Sequence, residues 1–291
     1  MGVKTVELLL DAKAVVGEGP VWDAAKKCLY WVDIVRHHVH VYDPLSGQDE
    51  IIDVGDYVGA VVPRKRGGLV AVLSDGFYHL DLSTKQLTRL AAVEAEIPDN
   101  RFNDGKCDAA GRFFAGTLPF SEDRPTGALY CLEPDLRVRK VLDGLTIANG
   151  LGWSPDNTRM YFIDTPTREV VMFDYDLTTG SLSNRRTAVR IEDGFPDGMT
   201  VDAQGMIWVA HWEGWKVSRW NPFTGERLME LALPVSCVTA CTFGGSNLDE
   251  LYITSASRDI GADRQAAQPH AGGVFRAHIG IRGQIAHAFS G

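Results

Sequence analysis

Oxygen-bearing side chains stand at matching places in a repeated sequence pattern. Each adjoins a glycine or precedes one by two residues, and each lies near the start of a predicted inner strand: Glu18, Asn103, Asn149 and Asp197. Carboxylate and amide oxygens are the ligands that hard divalent cations prefer in proteins. If the fold brings these residues together, they predict a cation site.

Glu18, Asn149 and Asp197 are the predicted cation ligands. Three protein oxygens leave positions open for water and substrate, which is typical of a catalytic centre and too sparse for a structural one. The donor set favours Ca²⁺, Mg²⁺ or Mn²⁺, while Zn²⁺ and Fe²⁺ remain alternatives without a His or Cys ligand. Asn-Gly and Asp-Gly are also frequent turn dipeptides, and Glu18 alone would be a loop carboxylate. No single one of these positions therefore establishes a cation site.

The segment RFNDGKCDAAGRFFAGT adds a cationic and an amide side chain near the same place. We expect Arg101 and Asn103 to bind substrate, because a guanidinium offers a rigid fork of donors and an amide both donates and accepts. Such groups beside a Lewis acid suit a substrate rich in hydroxyl and carbonyl oxygens. Asp104 could orient Arg101 or hold a turn, and Lys106 could lie on the surface.

A sixfold repeat must position these residues. Hydrophobic or aromatic pairs recur 40, 43, 48, 46 and 44 residues apart, at Tyr30-Trp31, Val70-Ala71, Phe113-Phe114, Tyr161-Phe162, Ile207-Trp208 and Leu251-Tyr252. This period is typical of a four-stranded blade and predicts an all-β fold, a six-bladed β-propeller with a central channel. The strands before these pairs begin near Glu18, Gly59, Asn103, Asn149, Asp197 and Cys241. Equivalent positions of radial blades should meet at one mouth of the channel.

Turns and loops complete this organisation. DPLSGQ, DLSTKQ, DLTTGS and NPFTGE predict the same hairpin in four blades. The longest irregular stretches are 118–126 and 257–272. Loops of this length on a compact scaffold are usually functional, so 118–126 is predicted to be a lid over the mouth.

Bulk properties narrow the class of protein. At 291 residues we expect one domain, 1–291, because all-β folds of this size are commonly undivided. The net charge of −9 disfavours nucleic acid and anionic membranes as partners and favours cationic metals. Without a secretory signal or an 18-residue apolar run, a cytoplasmic protein is expected, either a monomer or a weak homo-oligomer. Five cysteines lacking C-x-x-C spacing predict buried, reduced thiols.

Histidines receive structural assignments. His38 and His40, in the run H-H-x-H, are expected on a solvated face of an outer hairpin and not in a metal site. For His211 and Trp212, packing between blades is expected in preference to a place at the channel. The sequence has no G-x-S-x-G elbow, P-loop, Rossmann glycine pattern or H-E-x-x-H. Ser-His-Asp catalysis and nucleotide chemistry therefore have no support.

The order and spacing of GEGPVW, RFNDGKCDAAGRFFAGT, GALY, SNRR, PDGM, FGG and GGVFR resemble the senescence marker protein, regucalcin and gluconolactonase family. The resemblance covers nearly the whole chain and implies a six-bladed propeller with one divalent metal in its channel, hydrolysing sugar lactones to aldonic acids. It implies that Glu18, Asn149 and Asp197 bind the metal and that Asp197 is also the general base. Arg101 and Asn103 match the family's substrate-binding residues.

One segment departs from the animal members of that family, at GTLPFSEDRPTG. Ser121 stands where the animal proteins have glutamate, so we take the adjacent Glu122 as a substrate-binding candidate and expect loop 118–126 to select the lactone. Arg124 could bind an anionic substituent or pair with Glu122 or Asp123. The predicted function is metal-dependent lactone hydrolysis. The alternatives are a calcium-binding regulator without catalysis and a related propeller hydrolase of aryl esters or phosphotriesters.

Overall fold

The structure is a computed structural model that describes residues 5–258 and 260–291. Within these residues the strands form six four-stranded antiparallel sheets, and neighbouring sheets contact each other through their innermost strands. The predicted six-bladed β-propeller is confirmed.

Strands are numbered along the chain, and blades 1 to 3 are built from consecutive strands that run outward from the channel. Blade 1 contains β2 (Gly17–Asp23), β3 (Cys28–Asp33), β4 (His38–Asp43) and β5 (Gln48–Asp53). Blade 2 contains β6 (Ala60–Pro63), β7 (Leu69–Leu73), β8 (Gly76–Leu80) and β9 (Leu87–Ala92). Blade 3 contains β10 (Asn100–Cys107), β11 (Phe113–Pro119), β12 (Gly127–Leu132) and β13 (Val138–Leu145).

Blades 4 and 5 repeat this order, and blade 6 joins the two ends of the chain. Blade 4 contains β14 (Ala148–Trp153), β15 (Arg159–Asp164), β16 (Glu169–Asp176) and β17 (Ser181–Arg190). Blade 5 contains β18 (Phe195–Val201), β19 (Ile207–Trp212), β20 (Lys216–Trp220) and β21 (Arg227–Ala232). Blade 6 contains β22 (Val238–Gly244), β23 (Glu250–Ser255), β24 (Val274–His278) and, paired with β24, the first strand β1 (Val6–Leu10).

The six repeated pairs all lie in the second strand of a blade, and none of their residues is more than 2% exposed. A blade is covered on both faces by its neighbours, so both members of each pair can be apolar. The four predicted hairpins join the third and fourth strands of blades 1, 2, 4 and 5. In each, the side-chain oxygen of the first residue accepts a hydrogen bond from the backbone N–H two residues later, and these acceptors are Asp43, Asp81, Asp176 and Asn221.

The inner strands are bulged where the predicted site residues lie. The pairing with the second strand shifts register between Glu18 and Val21, Phe102 and Gly105, Ala148 and Leu151, Pro196 and Met199, and Val238 and Ala240. Bulges change the direction of side chains at the rim of a sheet. A Cβ at Gly150 would stand 2.6 Å from the carbonyl oxygen of Asp197. The Asn149-Gly150 dipeptide therefore serves the close approach of blades 4 and 5, not a turn.

The opposite end of the channel is covered by the segment 282–291. Gly283 donates its N–H to Leu248, Gln284 Nε2 donates to the carbonyl oxygen of Trp153, and Ser290 donates its N–H to Gly111. The segment thus crosses blades 6, 4 and 3, and residues 284–287 line a small cavity together with the far ends of the inner strands. The predicted site faces the other mouth.

Other regions refine the predictions. Leu118 and Pro119 belong to β11, so the predicted loop begins at Phe120. Within the described residues the helices are a 3₁₀ turn, Thr165–Thr167, and α1, Ala262–Gln265, and no helix is long and apolar enough to cross a membrane. All five cysteines are buried and free, as predicted.

The predicted solvated face of the histidine run is wrong at His40. Its side chain is buried, stacks on Trp31 with ring centroids 3.7 Å apart, and contacts Asp49 Oδ2 through Nδ1 at 2.7 Å. Neighbouring strands supply both partners, which the alternation within one strand cannot reveal.

Candidate functional site

A cavity of about 260 Å³ opens where the inner strands begin. All six residues predicted to form the site line it. The lining residues are Val16, Glu18, Arg101, Asn103, Leu118, Glu122, Ile147, Asn149, Thr165, Pro166, Phe195, Asp197, Trp212 and Arg258. The structure therefore brings the candidate metal ligands and the candidate substrate-binding residues to one place.

The candidate ligands are buried at the base of this cavity, with Glu18, Asn149 and Asp197 between 5% and 7% exposed. Asn149 Nδ2 donates to Thr165 Oγ1 at 3.0 Å, and that hydroxyl donates to the carbonyl oxygen of Pro196 at 2.9 Å. The amide is thereby held in one orientation. Its Oδ1 is buried and accepts no hydrogen bond from the described part of the protein.

Electrostatic repulsion is concentrated at the same place. Burial raises the pKa of both Glu18 and Asp197 well above the usual carboxyl range, and repulsion from Asp104 raises it further. Hydrogen bonding to Asn149 partly offsets the shift at Asp197. Burial also raises the pKa of Asp104, against the attraction of Lys106. The buried carboxyl groups of Glu18, Asp104 and Asp197 outnumber their basic neighbours Lys106 and Arg101, so their ionised state favours binding of a further cation.

These residues fit a divalent cation. Two carboxylates and an unpartnered amide oxygen are a hard-oxygen donor set with positions left for other ligands. Within the described residues no three His, Cys, Asp or Glu side chains form a metal-binding group, so a cation at this place depends on the Asn149 amide as well as on carboxylates.

Arg101 and Asn103 form the polar side of the cavity on blade 3. Arg101 Nη1 donates to Asn103 Oδ1 at 3.1 Å and to the carbonyl oxygen of Phe102 at 3.0 Å. Asn103 Nδ2 donates to the carbonyl oxygen of Ala148 on blade 4 at 3.0 Å. Burial lowers the pKa of the Arg101 guanidinium to about 10, so it stays charged at neutral pH.

Glu122 is joined to two guanidinium groups over the cavity. Its Oε1 lies 3.7 Å from Arg101 Nη2 and accepts a hydrogen bond from Arg258 Nη1 at 2.8 Å. The backbone of Glu122 has φ +56°, a left-handed conformation that is uncommon outside glycine. Arg258, which sequence reasoning missed, thus joins the loop after β23 to the loop after β11. Arg124 instead lies near Asp99 and Asp123, exposed and outside the cavity lining.

Other assignments are extended or corrected. Trp212 packs against the core between blades 5 and 6, as predicted, and also lines the cavity, whereas His211 is buried within blade 5 and bonds Ser218 Oγ at 2.5 Å. Lys106 is not a surface residue: its amine donates to the carbonyl oxygen of Met199 in the channel. Cys241 bonds the carbonyl oxygen of Trp208 between blades.

A sequence signal for the missed lining residues exists. Leu118, Pro166 and Trp212 each stand five residues after the first member of a repeated pair, at Phe113, Tyr161 and Ile207. The second strands therefore deliver side chains to the same mouth as the inner strands. Thr165 precedes Pro166 at that place in blade 4.

A sequence model of the SMP-30/Gluconolactonase/LRE-like region matches residues 16–257. Regucalcin from Danio rerio is 42% identical to this chain over 291 residues, with 98% of each chain covered. The match spans both sides of the cavity.

Solved structures share the fold. A luciferin-regenerating enzyme superposes with a TM-score of 0.93 at 33% identity, covering 99% of each chain. A calcium-binding protein, regucalcin from Agrobacterium tumefaciens, gives a TM-score of 0.94 at 26% identity, covering 98% of this chain and 97% of its own.

Proposed function

This chain belongs to the SMP-30/gluconolactonase/LRE-like family, and from that premise we propose that it hydrolyses sugar lactones to aldonic acids with one divalent cation at the mouth of the channel. The observation that carries the proposal is the buried set of Glu18, Asn149 and Asp197, whose amide oxygen has no partner among the described residues. The hydrogen-bonding side chains of Arg101 and Asn103 line the cavity beside this set.

Glu18, Asn149 and Asp197 would hold the cation, and Thr165 would keep the Asn149 amide in its ligand orientation. When bound, a divalent cation acts as a Lewis acid toward the lactone carbonyl oxygen and the charge that develops there. Arg101, Asn103 and Glu122 would bind the hydroxyl groups of the sugar ring.

Asp197 is assigned to accept a proton from the attacking water. The water oxygen bonds to the carbonyl carbon, the ring C–O bond breaks, and the proton returns to the ring oxygen as it leaves. Because binding a cation makes a carboxylate less basic, the ligand role of Asp197 is the stronger of its two assignments. The closed far end of the channel limits exchange to the mouth, so lactone enters and aldonic acid leaves on the same side.

A calcium-binding role without catalysis is the second candidate, since one solved relative at 26% identity is described as a calcium-binding protein. The cavity argues for catalysis, because a purely cation-binding site has no use for Arg101 and Asn103 beside the ligands.

The test is a substrate panel assayed with metal-stripped protein to which one cation at a time is returned. We expect hydrolysis of aldonolactones to stop on chelation and to return with at least one of Ca²⁺, Mg²⁺, Mn²⁺, Zn²⁺ and Fe²⁺. Cation binding without turnover of any lactone would favour the calcium-binding role. Faster turnover of an aryl ester or a phosphotriester than of every lactone would reassign the substrate class.

A further inference from the structure

The cavity lining is divided by chemistry between neighbouring parts of the propeller. Four of its six apolar residues lie on blades 4 and 5, namely Ile147, Pro166, Phe195 and Trp212, with Leu118 on blade 3 and Val16 just before β2. The hydrogen-bonding residues Arg101, Asn103 and Glu122 lie on blade 3, and the polar lining residues of blades 4 and 5 are the candidate ligands Asn149 and Asp197 with Thr165. A ligand between them would meet apolar atoms on one side and donors and acceptors on the other.

Phe195 and Trp212 form an aromatic wall at the mouth end of blade 5. They are cross-strand partners, at the start of β18 and the end of β19. Gly194, just before them, has φ +84°, and a Cβ on it would lie 2.9 Å from the Cα of Gly214. The chain can enter β18 at this position because the residue is glycine, and this entry sets the place of Phe195.

The ring of Phe195 is supported from blade 4. The guanidinium of Arg168 stacks on it, 4.2 Å from the ring centroid. The backbone of Arg168 is fixed, since its backbone N–H donates to the carbonyl oxygen of Thr165 at 3.1 Å and its carbonyl oxygen accepts from the N–H of Ile191 at 2.9 Å. One face of the ring is therefore occupied by protein, and the remainder borders the cavity.

We infer that Phe195, with Trp212 beside it, is a specificity-determining residue that packs against the C–H groups of a cyclic substrate. The hydroxyl edge of the same ring would face Arg101 and Asn103. This inference rests on the proposed function and deepens it: a sugar lactone presents C–H groups and hydroxyl groups on a fixed ring, whereas the open-chain product has no fixed apolar face. Aromatic side chains contact such apolar surfaces favourably. The cavity therefore prefers the closed ring to the open chain.

The test compares two ligands that resist hydrolysis, the lactam analogue of the best lactone and the open-chain aldonamide of the same sugar. Both are titrated calorimetrically into cation-loaded wild type, Phe195→Leu and Phe195→Tyr. We expect the wild type and Phe195→Tyr to prefer the lactam. Phe195→Leu should bind the lactam roughly 3- to 10-fold more weakly, the scale of one aromatic contact, with little change for the aldonamide.

Phe223→Leu is the matched control, because Phe223 is a 66% exposed phenylalanine on the same blade, in the β20–β21 turn outside the cavity lining. It should behave as wild type with both ligands. Lactone kinetics supply a second readout, in which Phe195→Leu should raise KM and leave kcat nearly unchanged.

Equal lactam affinity in Phe195→Leu and wild type would overturn the inference while leaving the proposed function intact, and so would an equal loss for both ligands. A wild type that hydrolyses no lactone would overturn the proposed function, and the inference with it.

Discussion

Replacing Thr165 by valine should weaken cation binding without removing any cation ligand. The Thr165 hydroxyl accepts from Asn149 Nδ2 and donates to the carbonyl oxygen of Pro196. Valine keeps the shape of the side chain but supports neither bond. Asn149 then loses the hydrogen bond that fixes the position of its amide nitrogen. Orientations of the amide in which Oδ1 points away from the cation site become populated.

The size of the effect follows from these two bonds. A neutral hydrogen bond contributes about 1 kcal/mol net, so the two bonds together stabilise the observed arrangement by about 2 kcal/mol. If all of it holds Asn149 in the ligand orientation, the cation Kd rises about 30-fold, since about 1.4 kcal/mol is tenfold. This lies within the range of about 10- to 100-fold known for residues that orient metal ligands.

The assay is calorimetric titration of the metal-stripped protein with Ca²⁺ or Mn²⁺, together with chemical denaturation. Thr167→Val is the matched control, because Thr167 lies in the same 3₁₀ turn, donates to the carbonyl oxygen of Asp164 at 2.7 Å and accepts from the N–H of Glu169 at 3.3 Å. Both variants should lose similar unfolding free energy, but Thr167→Val alone should keep the wild-type Kd. An unchanged Kd in Thr165→Val, or equal changes in both variants, would refute the reasoning.

Three further predictions concern substrate binding, specificity and pH. Asn103→Ala should retain the cation and lose roughly 10-fold or more in kcat/KM, because it removes a polar contact and releases Arg101, and unchanged kcat/KM would refute its role. Replacing 120–126 with a short Gly-Ser turn should remove the Glu122–Arg258 pair and reorder the preference among pentonolactones, hexonolactones and acidic lactones, whereas equal slowing of every lactone would make the loop a general cover. Because burial raises the pKa of Glu18 and Asp197, their stabilising contribution in metal-free protein is present at low pH and lost as pH rises through the raised pKa. Denaturation at several pH values should show the free energy of unfolding falling as pH rises without cation, and falling less at saturating cation. Identical pH profiles of the unfolding free energy with and without cation would contradict this prediction.

The sequence was sufficient to predict the architecture and the positions on the inner strands. A fixed period specifies which strand of each blade a residue occupies, and radial symmetry then places equivalent residues on one ring. Glu18, Asn103, Asn149 and Asp197 therefore meet at one cavity, as expected. In blade 6 the same count reaches Cys241, a buried cysteine that packs between blades, so this blade adds no oxygen ligand to the ring.

Residues outside that ring required information that one strand does not contain. The packing of Trp212 between blades follows from the strand pattern, but its place in the cavity lining depends on where β19 ends, which the ring of inner-strand positions does not show. Arg258 follows β23 in an irregular segment, and its contact with Glu122 spans 136 positions along the chain. Arg124 pairs with Asp123, one of the two alternatives that the sequence leaves open, while its other neighbour, Asp99, comes from the segment before β10, which proximity in sequence does not show.

The most direct test of the proposed centre is the cation content and aldonolactone turnover of Asp197→Ala, measured beside wild type and Asp135→Ala. Asp135 is an exposed carboxylate paired with Arg137 on a surface turn, so its removal should change neither quantity. We predict a folded Asp197→Ala protein with no bound cation and no detectable turnover. A full complement of cation with normal turnover in Asp197→Ala would contradict the account.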